Sequence, residues 1–366
     1  MLIYWLLLAF PSIFALLGLR AADSRGRSDL SKSRSRGIAF GGSMMIAFWI
    51  LYNLISGLRY QIGGDWIAYI DMVLDIADSR FFDALKVTDV GFALTSWIVT
   101  RVGLGLGTVN FICSGILSLG VIRVAQRTEH PWLAITAAVP YLLIVVGMGY
   151  VRQAAAIGFL LFAINAVSDR RLMAVFVYLV ISTTFHFSAV VMAPLFLFAV
   201  IRRKIVAVPV GLVFMVVAIM LMAGSERFAE MQTNYFESGY SSSGAIIRIV
   251  MNAAPAALFL AVRNRMGLNV EKKKIWTLIS LGSIGLLLIL PFSASSTVVD
   301  RVGLIFSPIQ IFVFGYLPRA LNVRAGRSGL LLLGVVVYCA VVQLIWLNFA
   351  DNSNAWVPYH SIISDS

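Results

Sequence analysis

The sequence predicts an all-α polytopic integral membrane protein that forms a single domain over residues 1–366. Of its 366 residues, 60% are apolar and only 13% are charged, and the mean hydropathy is +0.90. Soluble domains carry about 25% charged residues, which they need to cover their surface. The composition therefore excludes a soluble enzyme, a disordered chain and, despite a net charge of +12, a protein that binds nucleic acid. The partner that it implies is the lipid bilayer.

Apolar runs of about 17–25 residues are long enough to cross the hydrocarbon core as helices. The candidate spans are 1–19, 38–57, 108–125, 131–148, 150–167, 205–223, 246–262, 275–291, 302–318 and 328–349. Two regions fit less simply, because 89–102 is short for a span and 172–201 is too long for one helix but tight for two. We expect 172–201 to form a short hairpin that turns at His186, 89–102 not to cross, and about 11–13 transmembrane helices in total.

The distribution of charge predicts the orientation, because Lys and Arg collect in cytoplasmic loops. Basic residues concentrate in the loops 20–37, 202–204, 263–274 and 319–327. Acidic residues concentrate in the outer loops 58–89 and 224–245 and in the tail after residue 350. Both termini, Arg152 and His186 are therefore expected on the outer face.

An amphipathic helix is predicted within the outer loop 58–88, directly after the second span. At helical spacing, one face collects the apolar residues Ile67, Ile70, Leu74, Ala77, Phe81 and Leu85. Acidic residues lie on the other side, so the helix is expected to rest on the membrane surface. Asp65 precedes it after a Gly-Gly turn, and is either an N-cap or a functional carboxylate.

Ionisable side chains at membrane depth are costly and mark candidate functional sites. Arg152 and Gln153 begin one helix, Arg248 begins a second, and Asp300 and Arg301 begin a third. Arginines at the outer ends of three helices suggest a shared anionic ligand, because guanidinium groups bind phosphate bidentately. Snorkelling to the interface is the alternative explanation for each arginine.

Two aromatic segments contain further candidates. His186 lies between Phe185 and Phe187, and is either a proton acceptor or a structural group. The tail segment Trp356–His360 has the composition of an interfacial aromatic anchor. Both are expected on the outer face.

Several motifs are absent from the sequence. It has no P-loop, which excludes an ATP-driven pump. Its three histidines lack metal-ligand spacing, it contains no Asp-x-Asp pair, and Cys113 and Cys339 lie inside apolar runs. We therefore expect no metal, no cofactor and no disulfide, and any catalysis is expected to use Arg, Asp and His side chains.

Six short segments follow one another along the chain in an order typical of one family. They are RYQIGGDWIAYID (59–71), DVGFALTSWIV (89–99), VRQAAA (151–156), FHFSA (185–189), DRVGLIFSP (300–308) and WVPY (356–359). Together they resemble the EpsG family of Wzy-like bacterial polysaccharide polymerases. The sequence departs from the family pattern at Gly64 and Trp66, where Thr and Tyr are usual. It also has Val90, not an acidic residue, directly before Gly91.

The resemblance implies a metal-independent glycosyltransferase without a cofactor. Such an enzyme joins oligosaccharide repeat units carried on undecaprenyl diphosphate into an exopolysaccharide, capsule or O-antigen chain. It would be a multi-pass protein of the bacterial inner (plasma) membrane with its active site facing the periplasm. Flippase and chain-length regulator proteins would be partners. The outer loop with its acidic residue and amphipathic helix also resembles GT-C-like membrane glycosyltransferases.

The resemblance also implies roles for individual residues. Asp65 or His186 would accept the proton of the acceptor hydroxyl. The diphosphate and glycan would be bound by a larger group: Arg59, Arg152, Gln153, Arg248, Asp300, Arg301 and Tyr359. Stabilising the leaving diphosphate would be most of the catalytic task.

Two other functions fit a polytopic membrane protein. A flippase for the same lipid-linked glycan should show paired halves and charges at the bilayer midplane, whereas the charges here are predicted at one face. A membrane O-acyltransferase relies on embedded histidine, and His186 is the single candidate for that role.

Overall fold

The computed structural model describes residues 1–23, 30–201, 204–223, 242, 244–293, 295–321 and 325–363. Most of the predicted outer loop 224–245 lies outside this part of the chain. The side chains of the basic loops 20–37 and 202–204 lie outside the described side chains as well. Two short strands, β1 (Arg59–Tyr60) and β2 (His360–Ser361), pair antiparallel and join the end of the second helix to the tail.

The described helices are numbered α1–α16 in chain order. The first eight are α1 (Leu2–Asp23), α2 (Leu30–Gly57), α3 (Trp66–Asp78), α4 (Phe81–Val87), α5 (Val90–Arg101), α6 (Leu106–Ala125), α7 (Pro131–Gly149) and α8 (Val151–Ser168). The others are α9 (Leu172–Phe185), α10 (Ala193–Val200), α11 (Lys204–Ala223), α12 (Ala245–Val262), α13 (Val270–Ile289), α14 (Ser296–Phe306), α15 (Pro308–Ala320) and α16 (Ala325–Phe349). Short 3₁₀ turns cover Phe187–Met192, Leu290–Phe292 and Ser353–Ala355.

The lengths of the apolar helices confirm an all-α polytopic membrane protein. Within the described residues, six helices are long and apolar enough to span: α6, α7, α8, α12, α13 and α16. The predicted span over 302–318 falls on two helices, α14 and α15, which meet at a 43° bend and are together apolar enough to form one bent span. Pro308 follows the bend. Proline has no backbone N–H and its ring clashes with the carbonyl one turn earlier, so the helix does not run straight through this position. Four shorter apolar helices remain, so the expected total of 11–13 spans stays a prediction.

The predicted amphipathic helix is in fact two helices, α3 and α4, separated by extended backbone at Ser79 and Arg80. The predicted apolar face is not covered by the described part of the protein, since Ile67 is 73% exposed and Leu74 is 58% exposed, and it remains available to a membrane surface. A neighbouring face with Trp66, Tyr69, Val73 and Ile76 is buried. That face is buried because α5 covers it, with Phe92 against the ring of Tyr69 at 5.5 Å.

The segment 172–201 reverses direction at His186, as the predicted hairpin requires. Before α9 begins, Arg170 pairs with Glu271. At the end of α10, the Ala199 carbonyl accepts a hydrogen bond of 2.9 Å from Lys274. Both ends therefore lie beside the start of α13, and His186 is at the tip between them. The two helices of the hairpin diverge from each other, since α9 packs on α8 and α10 packs on α11.

The polar contacts divide the molecule into two ends. At the basic end, Lys272 donates to the Arg127 carbonyl at 2.6 Å and Arg319 pairs with Glu129. The opposite end, here called the site end, contains most of the predicted site residues and both described ends of the chain. There the Tyr4 hydroxyl donates to the Trp356 carbonyl at 2.7 Å.

The tail segment is not an interfacial anchor, because Trp356 is 1% exposed. Its indole donates to the Ile144 carbonyl at 3.3 Å, and the Tyr52 hydroxyl donates to the Leu143 carbonyl at 2.9 Å. Both carbonyls belong to the π-helical stretch Val139–Val146 of α7. The wider π-helical turns accommodate these added bonds. The tail is therefore packed into the core at the site end.

Single-cysteine labelling tests the orientation. Arg265 is exposed at the basic end and Asp351 at the site end, while the native Cys113 and Cys339 are buried. In intact cells, a membrane-impermeant maleimide is expected to label Asp351→Cys and to label Arg265→Cys only after permeabilisation. Labelling of Arg265→Cys in intact cells would invert the proposed orientation.

Candidate functional site

The loop before α3 places Asp65 at the site end. Gly63 has φ +106°, and a Cβ there would lie 2.7 Å from the Met148 carbonyl oxygen. Its N–H donates to the Ala355 carbonyl at 2.8 Å. Glycine is therefore required for the loop to fit between α7 and the tail. Asp65 occupies the N-cap position of α3 but makes no side-chain capping bond, so its half-buried carboxylate is available for another role.

Arg59 and Tyr359 hold this loop in place. Arg59 is 1% exposed and donates to the Ser56 carbonyl, to the Ser56 hydroxyl at 2.9 Å and to the Ile62 carbonyl at 3.4 Å. Burial lowers the pKa of its guanidinium to about 10, which leaves it charged at neutral pH. The Tyr359 hydroxyl donates to the Ile55 carbonyl at 2.7 Å. These positions argue against the predicted direct contact of either side chain with a ligand.

Arg152 is held by groups from two other elements. Its Nη1 lies 2.8 Å from Asp89 Oδ2 and 2.9 Å from the Thr88 hydroxyl, and its guanidinium lies 5.8 Å from the centre of the Tyr69 ring. Burial, with a smaller contribution from the charge of Asp65, raises the pKa of the Tyr69 phenol. The buried Nε of Arg152 has no hydrogen-bond partner among the described residues. Arg152 therefore keeps an unsatisfied donor inside the site.

Gln153 connects α8 to two neighbouring elements. Its amide donates to the Arg301 carbonyl at 2.6 Å and contacts the Ser188 hydroxyl at 3.4 Å. The buried Gln153 Oε1 has no partner among the described residues. Gln153 thus orients the start of α14 and the tip of the hairpin, and presents a vacant acceptor.

His186 is fixed through its Nδ1 atom. The Ser188 N–H lies 3.2 Å from Nδ1 and the Ser188 hydroxyl 2.6 Å from it. Because a backbone N–H can only donate, Nδ1 is the acceptor and the proton of the neutral ring is assigned to Nε2. His186 is then a hydrogen-bond donor at its other nitrogen, which disfavours the predicted role of base.

Arg248 and Asp300 form a bidentate ion pair rather than two separate ligand-binding groups. Arg248 Nε lies 2.8 Å from Asp300 Oδ1, and Nη2 lies 2.8 Å from Oδ2. The Ser242 hydroxyl donates to Asp300 at 2.9 Å and accepts from Arg248 at 2.6 Å. The Arg301 guanidinium stacks on the Tyr150 ring at 4.1 Å. The three predicted arginines therefore lie at one end, but two of them are already paired with carboxylates.

An apolar groove leads from the lipid-facing side to Arg248. A cavity of about 530 Å³ lies between α12, α15 and α16, and its lining includes Val250, Leu258 and Phe314. A neighbouring cavity of about 220 Å³ shares Ile247 and Met251 with it and reaches Arg248 and Asp351. The shared residues make the two cavities continuous along the outer half of α12.

The structure thus brings Asp65, Arg152, Gln153, His186 and Arg301 together, with the Arg248–Asp300 pair beside them. It also adds groups that the sequence patterns did not select: Thr88, Tyr69, Tyr150, Ser188 and Ser242. Tyr69 does not lie on the apolar face of the predicted amphipathic helix, so the helical spacing of apolar residues did not identify it. Asp89 could have been selected from its place two residues before Gly91, at the start of the segment DVGFALTSWIV. Among the described residues, no group of three or more His, Cys, Asp or Glu side chains could hold a metal.

The Arg248–Asp300 pair is expected to stabilise the fold. Asp300→Leu should lower the free energy of unfolding by about 3–5 kcal/mol, because it leaves a largely buried guanidinium unpaired. The double variant Arg248→Met/Asp300→Leu should recover most of that loss. Thermal unfolding in detergent measures both effects. A single variant as stable as the double variant would show that leaving the Arg248 guanidinium unpaired carries no cost.

Comparison with known proteins gives one match. A family model described as the EpsG family matches residues 43–361, a range that contains all six segments noted in the sequence. No curated protein and no solved structure matches the chain. A GT-C-like arrangement therefore stays a prediction.

Proposed function

The chain belongs to the EpsG family, and we propose that it polymerises oligosaccharide repeat units carried on undecaprenyl diphosphate. The product would be an exopolysaccharide, capsule or O-antigen chain, made at the outer face of the bacterial inner membrane. The observation that carries the proposal is the gathering of Asp65, Arg152, Gln153, His186 and Arg301 at one end of the helices, beside a lipid-facing groove.

In the proposed reaction, the acceptor hydroxyl oxygen bonds to the anomeric carbon of the donor sugar. The bond from that carbon to the diphosphate oxygen breaks, and undecaprenyl diphosphate leaves with the electron pair. The Asp65 carboxylate takes the acceptor proton, which its uncapped position supports. His186 donates a hydrogen bond from Nε2 to a sugar oxygen.

The arginines stabilise the negative charge of the leaving diphosphate in this proposal. The Arg152 side chain is 26% exposed beside Asp89, and Arg301 lies on the same side of the site through the Gln153 bond to its carbonyl. Fixed donors of this kind act where negative charge develops and need no reorganisation during the reaction. No step in this scheme requires a metal ion.

The groove along α12 suits the polyprenyl tail of the donor. From Ile246 to Leu258 it extends about 18 Å at 1.5 Å per residue, over half of a hydrocarbon core of about 30 Å. A tail in this groove would bring its diphosphate to the level of Arg248. Flippase and chain-length regulator proteins remain proposed partners on the strength of the family alone.

The other two functions have less support. A flippase needs a binding site near the bilayer midplane that opens to either side, whereas these polar groups collect at one end. An O-acyltransferase needs His186 as a base, and the Ser188 N–H occupies its Nδ1 acceptor.

A reconstituted assay tests the proposal. The purified chain in detergent would receive an undecaprenyl-diphosphate-linked repeat unit, and the products would be sized on a gel. A ladder spaced by one repeat unit is expected, and Arg152→Ala is the inactive control. An unlengthened unit that instead crosses the bilayer of chain-containing vesicles would support the flippase and overturn the polymerase.

A further inference from the structure

A third cavity lies at the basic end, far from the candidate site, and has a volume of about 500 Å³. Helix α8 forms its floor, because α8 packs along both α6 and α9. The mouth of the cavity is lined by Arg123, Arg127 and Arg171. The proposed polymerase reaction does not use this cavity.

The charges around the mouth do not cancel. Arg127 pairs with Asp169 through two contacts of 2.7 and 2.8 Å, and this bond holds the pKa of the Asp169 carboxyl below its usual value. The side chains of Arg123 and Arg171 make no hydrogen bond or ion pair within the described part of the chain, although the charge of Arg171 also helps to lower the pKa of the Asp169 carboxyl. Three guanidinium groups and one carboxylate therefore line the cavity, which leaves an excess of positive charge.

The deeper part of the cavity is apolar and aromatic. Phe162 contacts both neighbouring rings, with ring centres 6.1 Å from Phe159 and 5.6 Å from Tyr178. Leu119 on the α6 wall is 38% exposed. The exposure of this large apolar side chain at the edge of the cavity indicates that the cavity opens sideways into the hydrocarbon core.

We propose that this cavity binds an anionic phospholipid of the cytoplasmic leaflet. Its phosphate would lie between Arg123 and Arg171, and an acyl chain would run over Phe159 and Phe162. A guanidinium group binds phosphate oxygens through paired N–H donors. Basic pockets between transmembrane helices on the cytoplasmic side are where such headgroups bind.

The aromatic floor distinguishes a lipid from a small soluble anion. A free phosphate would occupy the mouth and leave the rings exposed to lipid. A phospholipid fills both parts and links α6, α8 and α9. Because α8 begins beside Arg152 and α9 ends beside His186, the lipid would brace two helices that carry the candidate site.

Lipid binding by the delipidated, full-length protein tests the proposal. Phosphatidylglycerol and phosphatidylcholine would be titrated in mixed micelles, and bound lipid counted by native mass spectrometry. Arg123→Gln/Arg171→Gln is expected to weaken phosphatidylglycerol binding at least tenfold and leave phosphatidylcholine unchanged. The matched control, Arg265→Gln/Lys273→Gln, removes two charges from the same end outside the cavity and should have little effect. Equal losses in the two double variants would mean nonspecific attraction and would overturn the site.

A second variant tests the apolar half without changing any charge. Leu119→Trp fills the α6 wall and is expected to weaken phosphatidylglycerol binding, even if the double arginine variant does not fold. Glycerol phosphate serves as the soluble probe. If it protects the protein against heat as well as phosphatidylglycerol does, and Leu119→Trp changes nothing, the cavity is a small-anion site and the proposal fails. Neither readout depends on polymerase activity.

Discussion

Arg152→Ala is expected to abolish polymer formation while the folded protein stays in the membrane at normal levels. The variant removes the group that joins Asp89, Thr88 and Tyr69, and with it the partly exposed guanidinium side chain in the site. Loss of one fixed donor to a developing anion typically costs a factor of about 10²–10³ in rate. Polymer would be measured by gel in cells that carry the variant as their only copy.

Arg152→Lys separates geometry from charge. Lysine keeps one positive charge but lacks the planar guanidinium that reaches several partners at once, so this variant is also expected to fail. Arg101→Lys is the matched control, because Arg101 is exposed and donates to the Ser79 carbonyl outside the site. Polymer of normal length from Arg152→Lys would reduce Arg152 to a counter-charge for Asp89.

The membrane class and the two ends of the molecule were predictable because they depend on local composition. A long apolar run must cross the bilayer wherever it packs, and loop charge sets its direction. The break at His186 was predictable for the same reason, since polar residues interrupt an apolar run there. The polar end that results contains most of the predicted site.

Pairings between distant segments were not predictable from one sequence. Asp89 and Arg152 are 63 positions apart, and Arg248 and Asp300 are 52 apart. The sequence around an arginine does not show whether its side chain binds a ligand or forms an ion pair with a distant carboxylate. The same holds for Trp356. The composition of an aromatic tail does not show whether it lies at the membrane interface or packs against a π-helical segment, as it does here.

The geometry also distinguishes Asp65 from His186, which the sequence alone left as equally suitable candidates for the base. Asp65 has a carboxylate without a capping bond at the N-cap position of α3. His186 has its Nδ1 acceptor occupied by the Ser188 N–H. A proton acceptor needs an unoccupied lone pair, and the absence of a capping bond leaves the lone pairs of Asp65 more open to that role than Nδ1 of His186.

Asp65→Asn is therefore expected to lose polymer formation, whereas His186→Gln should retain part of it. Asparagine caps a helix about as well as aspartate, so α3 should remain folded while the negative charge is lost. Glutamine can still donate from its amide where His186 donates from Nε2, so that variant should be slowed rather than inactive. Both variants would be assayed by gel for polymer and by size-exclusion chromatography for folding. Full activity in Asp65→Asn would remove Asp65 from the catalytic groups. Complete loss in a folded His186→Gln would return the role of base to the histidine.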